Sequence, residues 1–148
     1  MIRAGMVGPF GPVALVEREG LLVGLDWTLP DTPGQSALLA EGLAQLAAYF
    51  AGRLRGFDLP LDWGTGLHAA VRRAMADIPM GETRTYGQIA RTVDAPAQAV
   101  GQACGANPLP ILIPCHRVTG TGWFGGFSAP GGVETKAALL RHEGALLL

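Results

Sequence analysis

The 148-residue sequence holds only two cysteines, Cys104 and Cys115, and three histidines, and neither set has zinc-site spacing. No metal and no cofactor is expected. The two thiols sit eleven positions apart in a chain whose N-terminus has one Arg and no continuous apolar stretch. That pattern reads as reduced thiols in a cytoplasmic protein rather than a disulfide framework behind a signal peptide. Long apolar runs are missing as well: none approaches the ~20 residues of a membrane span, so no membrane partner is expected. Charge is sparse, with a net of −1, and from Ala95 to His116 there is no Asp, Glu, Lys or Arg at all. Residues 84–148 carry four Arg and Lys136 against three acids, while residues 1–83 carry six Arg against nine. A mildly basic second part is only a weak nucleic-acid signal.

What is present is apolar and turn-rich. Hydrophobic residues make up 49% of the chain, with 22 Gly and 11 Pro, and the mean hydropathy is +0.28. A chain of this size can hide roughly two-thirds of its unfolded surface. Val13 to Glu17 and Leu21 to Trp27 read as strands joined in a hairpin near Glu19-Gly20. Asp31-Thr32-Pro33 resembles a helix start, followed by Leu39, Leu43, Leu46 and Phe50 at helical spacing and a stop near Gly52. This is a scaffold lobe over 1–63, bounded by the turn-rich Leu59 to Gly64.

The second part, 64–148, reads as mainly helical. Thr65 caps a helix whose apolar stripe is Leu67, Ala70, Val71, Ala74, Met75 and Ile78, with Arg72 and Arg73 on the solvated face. His68 beside the stripe reads as a surface or half-buried residue. Thr85-Tyr86-Gly87-Gln88 has capping-box spacing, and Asp94-Ala95-Pro96 separates its short helix from a second one ending at Gly105, a helix-turn-helix pattern. Trp123, Phe124, Phe127 and Ser128 lie in a glycine-rich loop that reads as one wall of a pocket. A last helix begins near Val133, turns Ala137, Leu139 and Leu140 inward, and sets Glu143 beside the buried face. The fold class is therefore α/β (α+β): a small hairpin-plus-helix lobe, then a winged-helix-like helical domain.

The chemistry concentrates in Ile111-Leu112-Ile113-Pro114-Cys115-His116-Arg117-Val118. An apolar strand-like run delivers a thiol, an imidazole and a guanidinium together. A thiol reacts as thiolate, and an imidazole is the usual means of deprotonating it. Neighbours on an extended strand point opposite ways, so Cys115 and His116 need a turn or a water between them. A third group must orient the imidazole, and Glu143 is the candidate. Cys104 reads as a small packing residue in the second helix of the pair.

The run Ile113 to Val118, with Gly105-Ala106-Asn107-Pro108 before it and Gly125-Gly126-Phe127-Ser128 and His142-Glu143-Gly144 after it, resembles the O6-alkylguanine-DNA alkyltransferase family over residues 64 to 146. The resemblance implies that Cys115 takes the alkyl group from guanine O6 in one irreversible displacement. It implies that His116 acts through a water, held by Glu143, and that Asn107 fixes the active-site turn. Tyr86 would donate to guanine N3, Ser128 would contact O6, the Val118 backbone would read the exocyclic amine, and Arg117 would lie at the base. The partner would be double-stranded DNA carrying O6-alkylguanine, met in the minor groove by a monomer, with Ala97, Gln98, Gly101 and Arg84 on the DNA side.

One departure matters. The family places an arginine where this chain has Gln98, and it fills the space left by a flipped base; weak duplex binding is the expected result. Competing readings are a lesion-binding module like the alkyltransferase-like proteins, which replace the acceptor cysteine, a transcriptional regulator, which predicts a basic recognition helix, and a Cys-His hydrolase, whose pair is not adjacent in sequence.

Overall fold

In the computed structural model, which describes residues 1–146, the chain separates into two compact units, Met1–Asp62 and Trp63–Leu148. The first is a three-stranded antiparallel sheet in the order β1-β2-β3 with one helix. The strands are β1 (Ile2–Gly8), β2 (Gly11–Arg18) and β3 (Leu21–Asp26), and the helix is α1 (Ala37–Phe50). The hairpin turn falls at Glu19-Gly20, both with positive φ (51° and 78°), the conformation that two-residue hairpins favour. Val13 to Val16 are all buried, and α1 covers them with Leu39, Gly42, Leu46 and Tyr49. A side chain at Gly42 would put its Cβ 2.5 Å from Leu15 Cδ1, so glycine permits the close approach of helix to sheet.

Three features of this unit differ from the sequence reading. Strand β1 was not anticipated, because Gly5 and Gly8 interrupt its alternation. Gly5 is there for space, since a Cβ would lie 2.7 Å from Val13 O. The helix starts at Ala37 rather than at Thr32-Pro33. Ser36 is its N-cap, accepting from Leu39 N at 2.9 Å, while Gly34 N is spent on Arg3 O at 2.7 Å. Nor is the stretch after Leu59 a free linker: Leu22 N donates to Pro60 O and Asp62 N to Leu22 O, each at 2.9 Å.

The second unit contains α2 (Gly66–Ala76), β4 (Arg84–Thr85), α3 (Tyr86–Val93), α4 (Ala97–Gly105), a 3-10 turn (Cys115–Arg117), β5 (Val118–Thr119) and α5 (Val133–His142). Helices α3 and α4 form the helix-turn-helix. Thr85 and Gln88 close a reciprocal capping box, and Asp94 turns the chain with a left-handed backbone, φ 54°. Among the described residues no wing hairpin follows α4. The two-residue parallel ladder of β4 with β5 (Arg84 opposite Val118) stands in its place.

Arg72 is not on a solvated face. It is 8% exposed, and its Nη1 donates to Trp63 O at 3.2 Å, while Arg73 lies over the Trp63 ring at 4.5 Å. The tryptophan before α2 folds back on the helix and takes both arginines, and Ala70, assigned to the stripe, is exposed.

Candidate active site

The segment from Asn107 to Pro114 is buried apart from Pro108, but it is not a strand. Prolines at 108, 110 and 114 deny it ladder donors, and Ile111 sits at φ 71°, where a β-branched residue is held only by its surroundings. Asn107 supplies much of that hold: its Nδ2 donates to Ile113 O at 2.9 Å and its Oδ1 accepts from Leu109 N at 3.1 Å. The chain then tightens into the 3-10 turn, with Arg117 N on Pro114 O at 3.0 Å. This turn sends Cys115 and His116 in different directions, as the adjacency of the two residues demands.

Cys115 looks into a cavity of about 330 Å³. Tyr86 and the loop residues Phe127 and Ser128 form one side of it, and Gly101, Cys104 and Gly105 of α4 form the other. Trp123 and Phe124, expected in the same wall, line a separate groove with Thr83 and Leu140. Gly125, at φ 78°, carries the loop against Tyr86; a Cβ there would lie 2.5 Å from the tyrosine oxygen.

Behind the thiol, His116 is fully buried and its Nε2 is 2.7 Å from Glu143 Oε2. Its Nδ1 is buried without a protein hydrogen-bond partner. Arg117 grips the same carboxylate: Nε is 2.8 Å from Oε1 and Nη2 is 2.9 Å from Oε2, while Nη1 donates to Ile78 O at 2.7 Å. A bidentate guanidinium fixes both position and plane of the carboxylate. Arg117, expected at the base, has its guanidinium donors on the Glu143 carboxylate and the Ile78 carbonyl.

Electrostatics set the resting state. Burial pushes the Cys115 thiol above the ordinary cysteine range, and the Asn107 side chain and the Lys136 ammonium only partly oppose it. Burial likewise holds His116 below its usual value, outweighing Glu143. The thiol is therefore protonated and the imidazole neutral at neutral pH, a base that is free to accept. Tyr86 is raised, mainly by burial, and so remains a phenol able to donate.

Sequence reasoning missed Lys136. It is fully buried, and its Nζ donates to Val118 O at 2.6 Å and Gly126 O at 3.2 Å, 5.9 Å from the centre of the Tyr86 ring. Burial lowers it to about 8, with both thiols acting in the opposite sense. It shares the inward face of α5 with Leu139 and Leu140, so spacing pointed to it, but a lysine is assigned outward by default. The Val118 carbonyl, expected to face the base, accepts from this ammonium. Arg84 is half-engaged, at 3.0 Å from Glu82. Ala97 and Gln98 are exposed on α4. Among the described residues no cluster of His, Cys, Asp and Glu is arranged to hold a metal ion.

Residues 66–145 match the family model described as 6-O-methylguanine DNA methyltransferase, DNA binding domain. A protein named methylated-DNA–protein-cysteine methyltransferase from Mycobacterium tuberculosis is 42% identical over 151 residues, covering 91% of this chain and 87% of its own. One of the same name from Methanosarcina acetivorans is 38% identical over 157 residues, covering 98% and 99%. The crystal structure of M. tuberculosis OGT in complex with DNA superposes with a TM-score of 0.84 at 37% identity, over 97% of this chain and 92% of that one.

Proposed function

The chain belongs to the 6-O-methylguanine DNA methyltransferase family, and from that premise we propose that it repairs DNA by moving an alkyl group from guanine O6 to Cys115. The observation that carries the assignment is the half-buried Cys115 thiol in a cavity, backed by a neutral imidazole, a carboxylate and a guanidinium in series. In the proposed step Cys115 Sγ attacks the alkyl carbon as the bond from that carbon to O6 breaks. The thiol proton passes through one water to His116 Nδ1, and Glu143 stabilises the imidazolium. The electron pair left on the guanine is met by the Tyr86 hydroxyl and, more distantly, by the Lys136 ammonium, with Ser128 at O6.

The thioether product has no group beside it able to hydrolyse it, so each molecule reacts once. A base whose O6 must reach a half-buried thiol has to leave the stack. The first unit acts as scaffold and the second as the DNA-binding and transfer domain, entering the minor groove of a duplex through α4. Its exposed Ala97 and Gln98 and the half-buried Gly101 bring no charge, so duplex binding is weak and only mildly salt-dependent. We infer a cytoplasmic monomer with reduced cysteines, in keeping with the two free thiols, Cys104 and Cys115.

The test is to incubate the protein with a duplex carrying O6-methylguanine and weigh the intact protein and its Cys115 peptide. Gain of one methyl on Cys115, saturating at one equivalent, is the expected result. An unchanged mass with lesion binding intact overturns transfer and leaves a damage-recognition module.

A further inference from the structure

Cys104 has no part in the proposed transfer, yet it faces the same cavity as Cys115 from the α4 side. It is buried, and its Sγ lies 3.6 Å from Sδ of Met75, which is fully enclosed behind it on α2. Two thiols and a thioether, from three separate stretches of chain, are therefore gathered about one cavity. No imidazole or carboxylate lines that cavity; besides the thiols, its polar side chains are the hydroxyls of Tyr86 and Ser128.

This donor set is chemically selective. Thiolate and thioether sulfur are soft ligands that suit Cu(I), whereas Mg²⁺, Ca²⁺ and Mn²⁺ want oxygen. Zinc takes four ligands from Cys, His and carboxylates, and among the described residues no three such groups come together. Metal–sulfur bonds of about 2.3 Å set the ligands of a flat three-coordinate site about 4 Å apart. The Cys104–Met75 spacing is close to that, and the unbranched methionine can adapt to the rest. We propose that Cys104, Met75 and Cys115 form a three-sulfur site for a soft monovalent cation, Cu(I) or Ag(I), and that loading it silences the protein. On binding, each thiol gives its proton to solvent and no electron moves, so two thiolates and one cation leave a single net negative charge. The Lys136 ammonium, which favours both thiolates, offsets it. A thiolate holding the cation is a weaker nucleophile, and the cation stands where the alkyl carbon must come. Stripping the metal restores transfer.

The test titrates the whole protein anaerobically with Cu(I) against the coloured chelator bicinchoninate, and X-ray absorption counts the sulfur neighbours of the bound copper. The parent should take one equivalent with three sulfurs. Met75→Leu conserves volume and should keep methyl transfer from duplex DNA while losing one sulfur neighbour. Its copper affinity should fall by at least about tenfold, the scale of even an outer partner of a metal site. Cys104→Ala should weaken binding further, by about a hundredfold, leaving Cys115 to bind alone. Parent copper with two sulfurs or fewer overturns the site, as does an affinity unmoved in Met75→Leu or Cys104→Ala. If Cys104→Ala does not fold, Met75→Leu and the sulfur count decide. A loaded parent that still transfers at full rate overturns the silencing. The silencing rests on the reading of Cys115 as acceptor, whereas the copper affinity does not. A parent that binds copper as expected but never takes methyl from duplex DNA overturns the acceptor and leaves the site.

Discussion

The two units bury different things. Met1–Asp62 hides an apolar layer, Val13 to Val16 under Leu39, Leu46 and Tyr49, and among the described residues none of its charged side chains is buried. Trp63–Leu148 hides Arg72, Asn107, His116, Arg117, Lys136 and Glu143. A buried ion pair stabilises no more, and often less, than apolar residues of the same volume would, and breaking one is costly. The first unit therefore turns burial directly into stability, whereas the second devotes much of its interior to holding a few polar atoms in fixed places.

The sharpest way to break this contrast is Glu143→Ala. It strands the Arg117 guanidinium and the His116 imidazole in the interior, and about 3–5 kcal/mol of stability should be lost, together with Cys115 alkylation. Chemical denaturation and the duplex assay check the two parts. In the first unit Leu46→Ala should cost about 2–5 kcal/mol through an apolar cavity alone. Cys115 labelling per folded molecule should be unaltered; a fall in that rate at low temperature would erase the distinction between the units.

Lys136→Met tests the same contrast from the other direction. The chain length is kept and a strained buried charge is removed, so melting should shift by only a few degrees. The alkyl-transfer rate should nonetheless drop by about 10², the loss typical of removing one preorganised charge-stabilising donor. A rate that tracks stability would reduce Lys136 to a packing residue.

The pH response carries a smaller effect. Folded His116 holds a proton less readily than the unfolded chain, because burial dominates. Near pH ~6.5 the unfolded chain thus takes up a proton that the folded chain declines. The unfolding free energy rises with pH in that window and falls as pH drops below about 6.5. His116→Asn should flatten this slope in urea titrations between about pH 5 and pH 7.5. Smallest of all, Ser36→Ala should remove the α1 cap for about 1 kcal/mol and leave every property of the thiol unchanged.

The same contrast explains what could be read from the sequence. Hairpin, α1 stripe and capping box rest on local rules, Cys115 on a residue type that carries chemistry, and the grouping of Tyr86 and Ser128 with it on the family resemblance, and these were legible. Arg72 and Lys136 were not, since their burial depends on acceptors elsewhere in the chain: the Trp63 carbonyl for one, the Val118 and Gly126 carbonyls for the other. The apolar run before Cys115 passed for a strand because hydrophobicity reports burial and not backbone shape. Its prolines were the contrary sign. Arg117 belonged to a recognisable motif, yet its partner lies 26 residues away in Glu143, and no spacing rule connects them.

Arg117 also does something for helices it does not belong to. Its Nη1 closes the carbonyl of Ile78, just past the end of α2, while its other nitrogens hold the C-cap residue of α5. One guanidinium thus pins two helix termini to each other, with the imidazole fastened to the pin. The bearing of His116 toward the thiol is inherited from the rigid-body placement of α2 and α5 rather than from side-chain rotamers. A shift of either helix end by a fraction of a bond length would leave the nucleophile where it is and still swing its base out of line.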